Sequence, residues 1–184
     1  MSIMQSTQGS LSSTQTEILK VAIGVVLLFA SAQLAIPMKP VPITLHTLAV
    51  LLIGLTYKPR EAFSTLSSYL LLGAIGLPVF SSYNSGFIYL TGKTGGYLFG
   101  FLVAAVVMSF IQQSVRRGGL QTFLLCTVGH SIIYAMGIAW LATFIGLKSA
   151  ITFGFMPFIV PGLIKMGLLT ATLQGIRYFD KQPQ

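Results

Sequence analysis

Six apolar segments in a chain with only three acidic residues leave this sequence few ways to fold. They run roughly over Ile18–Ile36, Ile43–Tyr57, Ala62–Leu77, Thr94–Val115, Leu120–Gly146 and Ile151–Tyr178. A helix needs about 20 apolar residues to cross the hydrocarbon core. The second and third segments are shorter, so they are expected to tilt against neighbours or to lie partly buried in the bundle. Charged residues make up 8 % of the 184, against about 25 % in a soluble domain. The mean hydropathy is +0.83. The expectation is an all-α integral membrane protein with six transmembrane helices.

The net charge of +8 arises mainly because acids are scarce. The basic residues lie at the ends of apolar runs, where they report topology and contact with membrane lipids rather than nucleic acid. Six crossings put both termini on one side. That side collects Lys20, Lys58, Arg60, Arg116, Arg117, Arg177 and Lys181, seven basic residues against Lys39, Lys93 and Lys148 on the other. The positive-inside rule makes the richer side cytoplasmic, with the Arg116-Arg117 turn as its clearest loop. The expected location is the cytoplasmic (inner) membrane.

Residues 1–17 are Ser/Thr/Gln-rich and carry no basic region or small-residue cleavage site, so they are expected to be a retained, disordered tail. Residues 18–178 form the membrane domain and 179–184 a cytoplasmic tail. The single cysteine, Cys126, lies in an apolar run, where packing is its ordinary role.

Lys165 is the one full charge well inside an apolar span, FMPFIVPGLIKMGLLTATLQGI from Phe155 to Ile176. Such a charge costs roughly 2.5–3.5 kcal/mol on insertion scales and usually faces the protein interior or a cavity. Glu17, Glu61 and Asp180 all sit at segment ends, so an internal ion pair is hard to supply. An unpaired buried cation points to an incoming anion; the plainer reading is that it snorkels to a carbonyl or the interface.

The outward connectors point to solute capture. IPMKPVPIT is stiffened by Pro37, Pro40 and Pro42. LPVFSSYNSGFIYLTGKTGG is longer than most structureless loops and too aromatic for disorder, which suits a lid or binding loop. Within it, Tyr83 and Asn84 offer an aromatic face and an amide that both donates and accepts, although Asn84-Ser85-Gly86 is equally a turn signal. Gln33, Thr44, His46 and Thr47 fall at the same depth as Thr94, as a polar set. The Gly92, Gly96 and Gly100 spacing allows close helix packing, while Thr94 and the amides of Gly95 and Gly96 open a helix N-terminus suited to an anion or carbonyl. Small residues Ala22, Gly24, Ala30 and Ala32 of the first segment suit either a partner helix or packing within the chain.

The inventory excludes other classes. It holds no nucleophile–His–acid set and no paired carboxylates, so no catalytic residues and no enzyme are expected. His46 and His130 alone make a poor metal site. No nucleotide motif or cofactor-binding pattern appears, so any ATP would be hydrolysed by another chain.

Four blocks in order, VPITLHTLAVLLIG (Val41–Gly54), LLLGAIGLPVF (Leu70–Phe80), GKTGGYLFGF (Gly92–Phe101) and IIYAMGIAWLA (Ile132–Ala142), resemble the BioY family of biotin-capturing membrane proteins. The resemblance spans about Ile18 to Gln174. It implies a six-helix, S-component-like bundle of an energy-coupling-factor (ECF) transporter, served by a transmembrane coupling subunit and ATPase subunits; some members are thought to act without dedicated partners, which leaves room for self-association. It also implies that Lys165 belongs to the biotin site. The family's acidic residue falls on Gly162 here, His46 stands where Gln is common, and Lys93 replaces a proline. The implied pocket takes Asn84, Gln33, Thr94 and the Gly95 and Gly96 amides, walled by Tyr83, Tyr97 and Trp140, with Thr44 and His46 nearby. Two rivals are a related capture protein for another anionic vitamin, and a non-transporting membrane scaffold.

Overall fold

A computed structural model describes residues 13–115 and 118–179. Helix α1 (Ser13–Gln33) leads into a two-residue strand β1 (Ala35–Ile36), which pairs antiparallel with β2 (Ile43–Thr44). This small ladder closes the proline-rich connector, with Ala35 opposite Thr44 and Ile36 opposite Ile43. Then follow α2 (His46–Thr56), α3 (Pro59–Ala74), a single 3₁₀ turn (Ser81–Tyr83), α4 (Phe87–Leu90), α5 (Gly95–Ser114), α6 (Gly119–Ile145), α7 (Leu147–Gly154) and α8 (Met156–Phe179).

Each expected apolar segment falls on helix. By length and apolarity, four stretches among the described residues are suited to cross a membrane: Thr14–Gln33, Gly95–Ser114, Gly119–Ile145 and Leu147–Tyr178. α2 spans about 16 Å at 1.5 Å per residue, well short of the roughly 30 Å core. It is sheltered by its neighbours, with His46, Thr47, Val50, Leu51 and Ile53 all buried.

The structure departs from the sequence expectation at two places. α1 begins at Ser13, inside the stretch expected to be a tail. The tails' remainder, 1–12 and 180–184, and the Arg116-Arg117 turn lie outside the described residues. The last apolar segment is two helices, broken at Phe155 (φ −126°, ψ −54°). Pro157 explains the break, because it lacks an N–H and would clash with the carbonyl four residues back, yet fits the first turn of a new helix. The long aromatic connector, expected as a lid or binding loop, is a folded cap. The Tyr69 hydroxyl donates to the Val79 carbonyl at 2.8 Å, the Gly86 N–H donates to the Gly73 carbonyl at 2.7 Å, and Phe80 stacks on Tyr89 at 5.2 Å. Gly73 permits this: a Cβ there would sit 2.1 Å from the Phe80 ring.

Glycine also sets the helix spacing. A Cβ on Gly96 would lie 2.2 Å from Trp140 Cβ, one on Gly129 would lie 2.2 Å from Met108 Sδ, and one on Gly24 would lie 2.6 Å from a Thr65 methyl. Gly24 therefore docks α1 onto α3, which settles part of the small-residue face as packing within the chain; Ala22 and Ala30 remain exposed. Cys126 is fully buried beside Met108 and Leu125, as its apolar run implied. Outward-facing Ile75, Ile88 and Leu120 are largely exposed, as suits a surface bathed in lipid.

The two internal acids are paired at one end of the bundle. Glu61 binds Lys20 at 3.0 Å and Glu17 meets Arg60 at 3.3 Å. Burial alone would raise the Glu61 carboxyl. The Lys58 backbone N–H, the Lys20 ammonium and the nearby positive charges outweigh it and hold the group below the usual carboxylate range.

Candidate binding site

Lys165 comes from the third turn of α8 and reaches across the bundle. Its ammonium donates to the Thr44 carbonyl at 2.6 Å and to the Thr47 hydroxyl at 3.0 Å, and the residue is only 8 % exposed. It therefore meets a carbonyl, as the plainer reading had it, but one on β2 rather than on its own helix. Both recorded acceptors are neutral, and an ammonium has three donors, so the site holds a buried cation with no carboxylate among its recorded partners.

Around it the helices place further polar groups. The His46 N–H donates to Thr44 Oγ1 at 3.3 Å, and its ring stands edge-on to Tyr69 (5.0 Å) and Phe101 (4.7 Å). Its buried Nε2 has no hydrogen-bond partner. On α6, His130 is buried and packs 5.5 Å from Tyr134. Gly162 of α8 faces this pair: a Cβ there would lie 3.4 Å from both His130 Nε2 and the Tyr134 hydroxyl.

Two residues before Thr44, Pro42 lines a cavity of about 350 Å3 under the outer connectors. Pro37 and Pro40 form more of its wall, facing Ser81, Asn84, Tyr89 and Thr94. That volume lies in the range of small-ligand pockets. Asn84 Nδ2 donates to the Ser81 carbonyl at 2.7 Å, which leaves the amide oxygen uncommitted, and the buried Ser81 hydroxyl has no partner. Ser82 and Tyr83 hold left-handed backbone, φ 57° and 58°. Consecutive non-glycine residues in that region store strain, which tends to collect where a loop presents functional groups.

The structure thus brings together Asn84 and Thr94 at the cavity, and links Lys165, Thr44 and His46 by hydrogen bonds at the junction of β2 and α2. Gln33 has a different place. Its Nε2 donates to the Phe80 carbonyl at 3.1 Å and its Oε1 accepts from the Tyr83 N–H at 3.0 Å, so it ties α1 to the cap. Tyr83 itself is exposed and edge-on to Phe29. Tyr97 and Trp140, expected as walls, have their polar atoms engaged within the chain. The Tyr97 hydroxyl donates to the Gly154 carbonyl at 2.8 Å, and Trp140 Nε1 donates to the Gly92 carbonyl at 3.0 Å. Both belong to helix interfaces, as do Gly95 and Gly96. The Gly95 N–H is spent on the Gly92 carbonyl at 3.0 Å, and Gly96 sits against Trp140.

Sequence reasoning overlooked Ser81, Tyr89 and Tyr134. Nothing in their local pattern marks them, since each acquires its place only when the connector folds back over α3 or when α6 meets α8. His130 is legible as a histidine within an apolar run, without a carboxylate or thiolate near it in sequence.

An apolar helical bundle that buries a cation with no ion-pair partner among the described residues, and that also carries a loop-walled cavity, defines a membrane protein suited to hold a small solute. The chain belongs to the BioY family, whose model matches residues 4–181. It is 42 % identical over 166 residues to the probable biotin transporter BioY of Rickettsia prowazekii, covering 90 % of this chain and 86 % of that one. It is 36 % identical over 163 residues to the biotin transporter BioY of Thermotoga maritima, covering 88 % and 94 %. Its fold matches the crystal structure of the S-component for biotin from an ECF-type ABC transporter with a TM-score of 0.80, at 22 % identity over 95 % of this chain and 96 % of that one. These relatives are transporters, and the inventory expected no enzyme.

Proposed function

We propose that this chain captures biotin at the outer face of the cytoplasmic membrane and delivers it inward as the substrate-specific component of an ECF-type transporter. The observation that carries the reading is the buried Lys165, bound to neutral acceptors on β2 and α2, in a chain of the BioY family. Biotin joins a flat ureido ring, rich in donors and acceptors, to an apolar tail ending in a carboxylate. Asn84, Thr94 and Ser81 suit the polar groups, and Tyr89 with the three prolines suits the apolar faces. Lys165 supplies a charge-assisted hydrogen bond, with Thr44 and Thr47 holding it in place.

In this reading six helices cross the membrane, α2 and α3 being short crossings sheltered by their neighbours, and both termini are cytoplasmic. Lys20, Lys58, Arg60 and Arg177 then gather at the inner end and Lys39, Lys93 and Lys148 at the outer. The chain has no nucleotide motif, so a transmembrane coupling subunit and ATPase subunits provide the energy. Gly162 stands where the resemblance implies an acidic residue, and His130 and Tyr134 are polar groups that border that position.

Equilibrium binding of labelled biotin to the purified chain, with unlabelled biotin and other anionic vitamins as competitors, tests the reading. Saturable binding displaced by biotin alone is expected. Displacement by another vitamin in preference to biotin would reassign the substrate, and no binding to folded protein would remove the capture function.

A further inference from the structure

A second feature lies at the opposite end of the bundle from the capped cavity. A groove of about 790 Å3 runs between the ends of α1, α2, α3 and α5. Its lining is layered. Lys58 and Arg60 stand at the start of α3 and Lys20 about two turns into α1, while Phe63 lies one turn into α3 and Phe110 and Val106 about one and two turns back from the end of α5. Phe63 and Phe110 are 53 % and 61 % exposed, so among the described residues nothing covers them.

Most neutral donors of the groove are already spent. The Thr56 hydroxyl donates to the Leu52 carbonyl, the Tyr57 hydroxyl to the Lys20 carbonyl and the Gln113 amide to the Ser109 carbonyl. Lys20 is held by Glu61. The remaining capacity is cationic. Lys58 has no ion pair among the described residues, and Arg60 meets Glu17 through Nε alone, with its side chain 86 % exposed. An occupant must therefore bring negative charge at the level of the helix ends and hydrocarbon one turn deeper. A free phosphate would meet the first condition and leave both phenylalanines bare.

We infer that this groove binds an anionic phospholipid, with its phosphate between Lys58 and Arg60 and an acyl chain along Phe63 and Phe110. The site goes beyond the capture function and shares no residue with it. It gives the bundle a fixed lipid contact at the end where α1 and α3 are joined by their two ion pairs.

The test uses the full chain, delipidated in neutral detergent, with equal amounts of palmitoyl-oleoyl phosphatidylglycerol and phosphatidylcholine, read by native mass spectrometry. The wild type is expected to retain one phosphatidylglycerol in preference. The Lys58→Gln/Arg60→Gln double variant is expected to lose that preference by about tenfold or more, while Lys148→Gln, at the other end, keeps it. Should the double variant unfold, Lys58→Glu alone is expected to reverse the preference. Equal retention of the two lipids by wild type overturns the inference, as does a preference that survives in the double variant or falls equally in Lys148→Gln. If the double variant keeps its lipid but no longer co-purifies with a membrane coupling subunit, the groove is a protein interface instead. Biotin binding measured on the same samples tests the capture function separately.

Discussion

Replacing Lys165 with methionine separates what the lysine does for the ligand from what it does for the fold. The substitution keeps the length and apolar stem while removing the ammonium. In the unliganded protein two opposing effects meet. The Thr44 carbonyl and the Thr47 hydroxyl lose their donor, and a buried polar group left unsatisfied costs about 1–3 kcal/mol. Removing an intramembrane cation returns roughly 2.5–3.5 kcal/mol. The fold should therefore survive with its thermal midpoint little changed. Ligand binding has no such compensation. A hydrogen bond to a charged group contributes about 1.5–3 kcal/mol, and each 1.4 kcal/mol is tenfold, so the biotin Kd should rise by about 10- to 100-fold. Equilibrium binding to purified wild type and Lys165→Met, with thermal unfolding of both, makes the measurement. A Kd within twofold of wild type in a folded variant would refute the argument and leave Lys165 a purely structural tie between α8 and β2.

Three further outcomes follow from other contacts. Gln33→Leu removes the bonds that tie α1 to Phe80 and Tyr83; at about 0.5–1.5 kcal/mol each, their loss should loosen the cap and speed biotin release several-fold, as read by dissociation kinetics, with less effect on association. Gly96→Leu drives a side chain into Trp140 and should destabilise the bundle by about 1–3 kcal/mol, whereas Gly162→Ala, whose Cβ makes ordinary contacts, should fold normally; thermal unfolding distinguishes them. Because the folded protein holds the Glu61 carboxyl below its usual range, its contribution to stability is present above the ordinary carboxylate pKa and is lost as pH falls through the folded value. Glu61→Gln should flatten that acid-side loss in a pH series of unfolding midpoints, and an unchanged slope would show that the Lys20–Glu61 pair contributes nothing.

Much of this protein is legible in its sequence because hydrocarbon imposes a simple rule. Long apolar runs become helices wherever they occur, so the helical segments could be placed from composition alone, and so could the isolation of Lys165 from any acid. The four ordered blocks were likewise enough to point to the family. What pattern could not supply is which side chains meet across the bundle. Asn84 and Thr94 share a cavity because the connector after α3 folds into a cap over Gly73, while Tyr97 and Trp140, equally aromatic and equally near a glycine motif, turn into helix interfaces. The glycines decide this by distance: where a Cβ would strike a neighbouring ring, two helices close and no pocket remains. The break at Phe155, and the reach of Lys165 onto Thr44 rather than along α8, are also products of packing. Local sequence determines where the chain is helical and where its charges are scarce. Only the tertiary structure decides which of its few polar groups are spent on one another and which are left for a ligand.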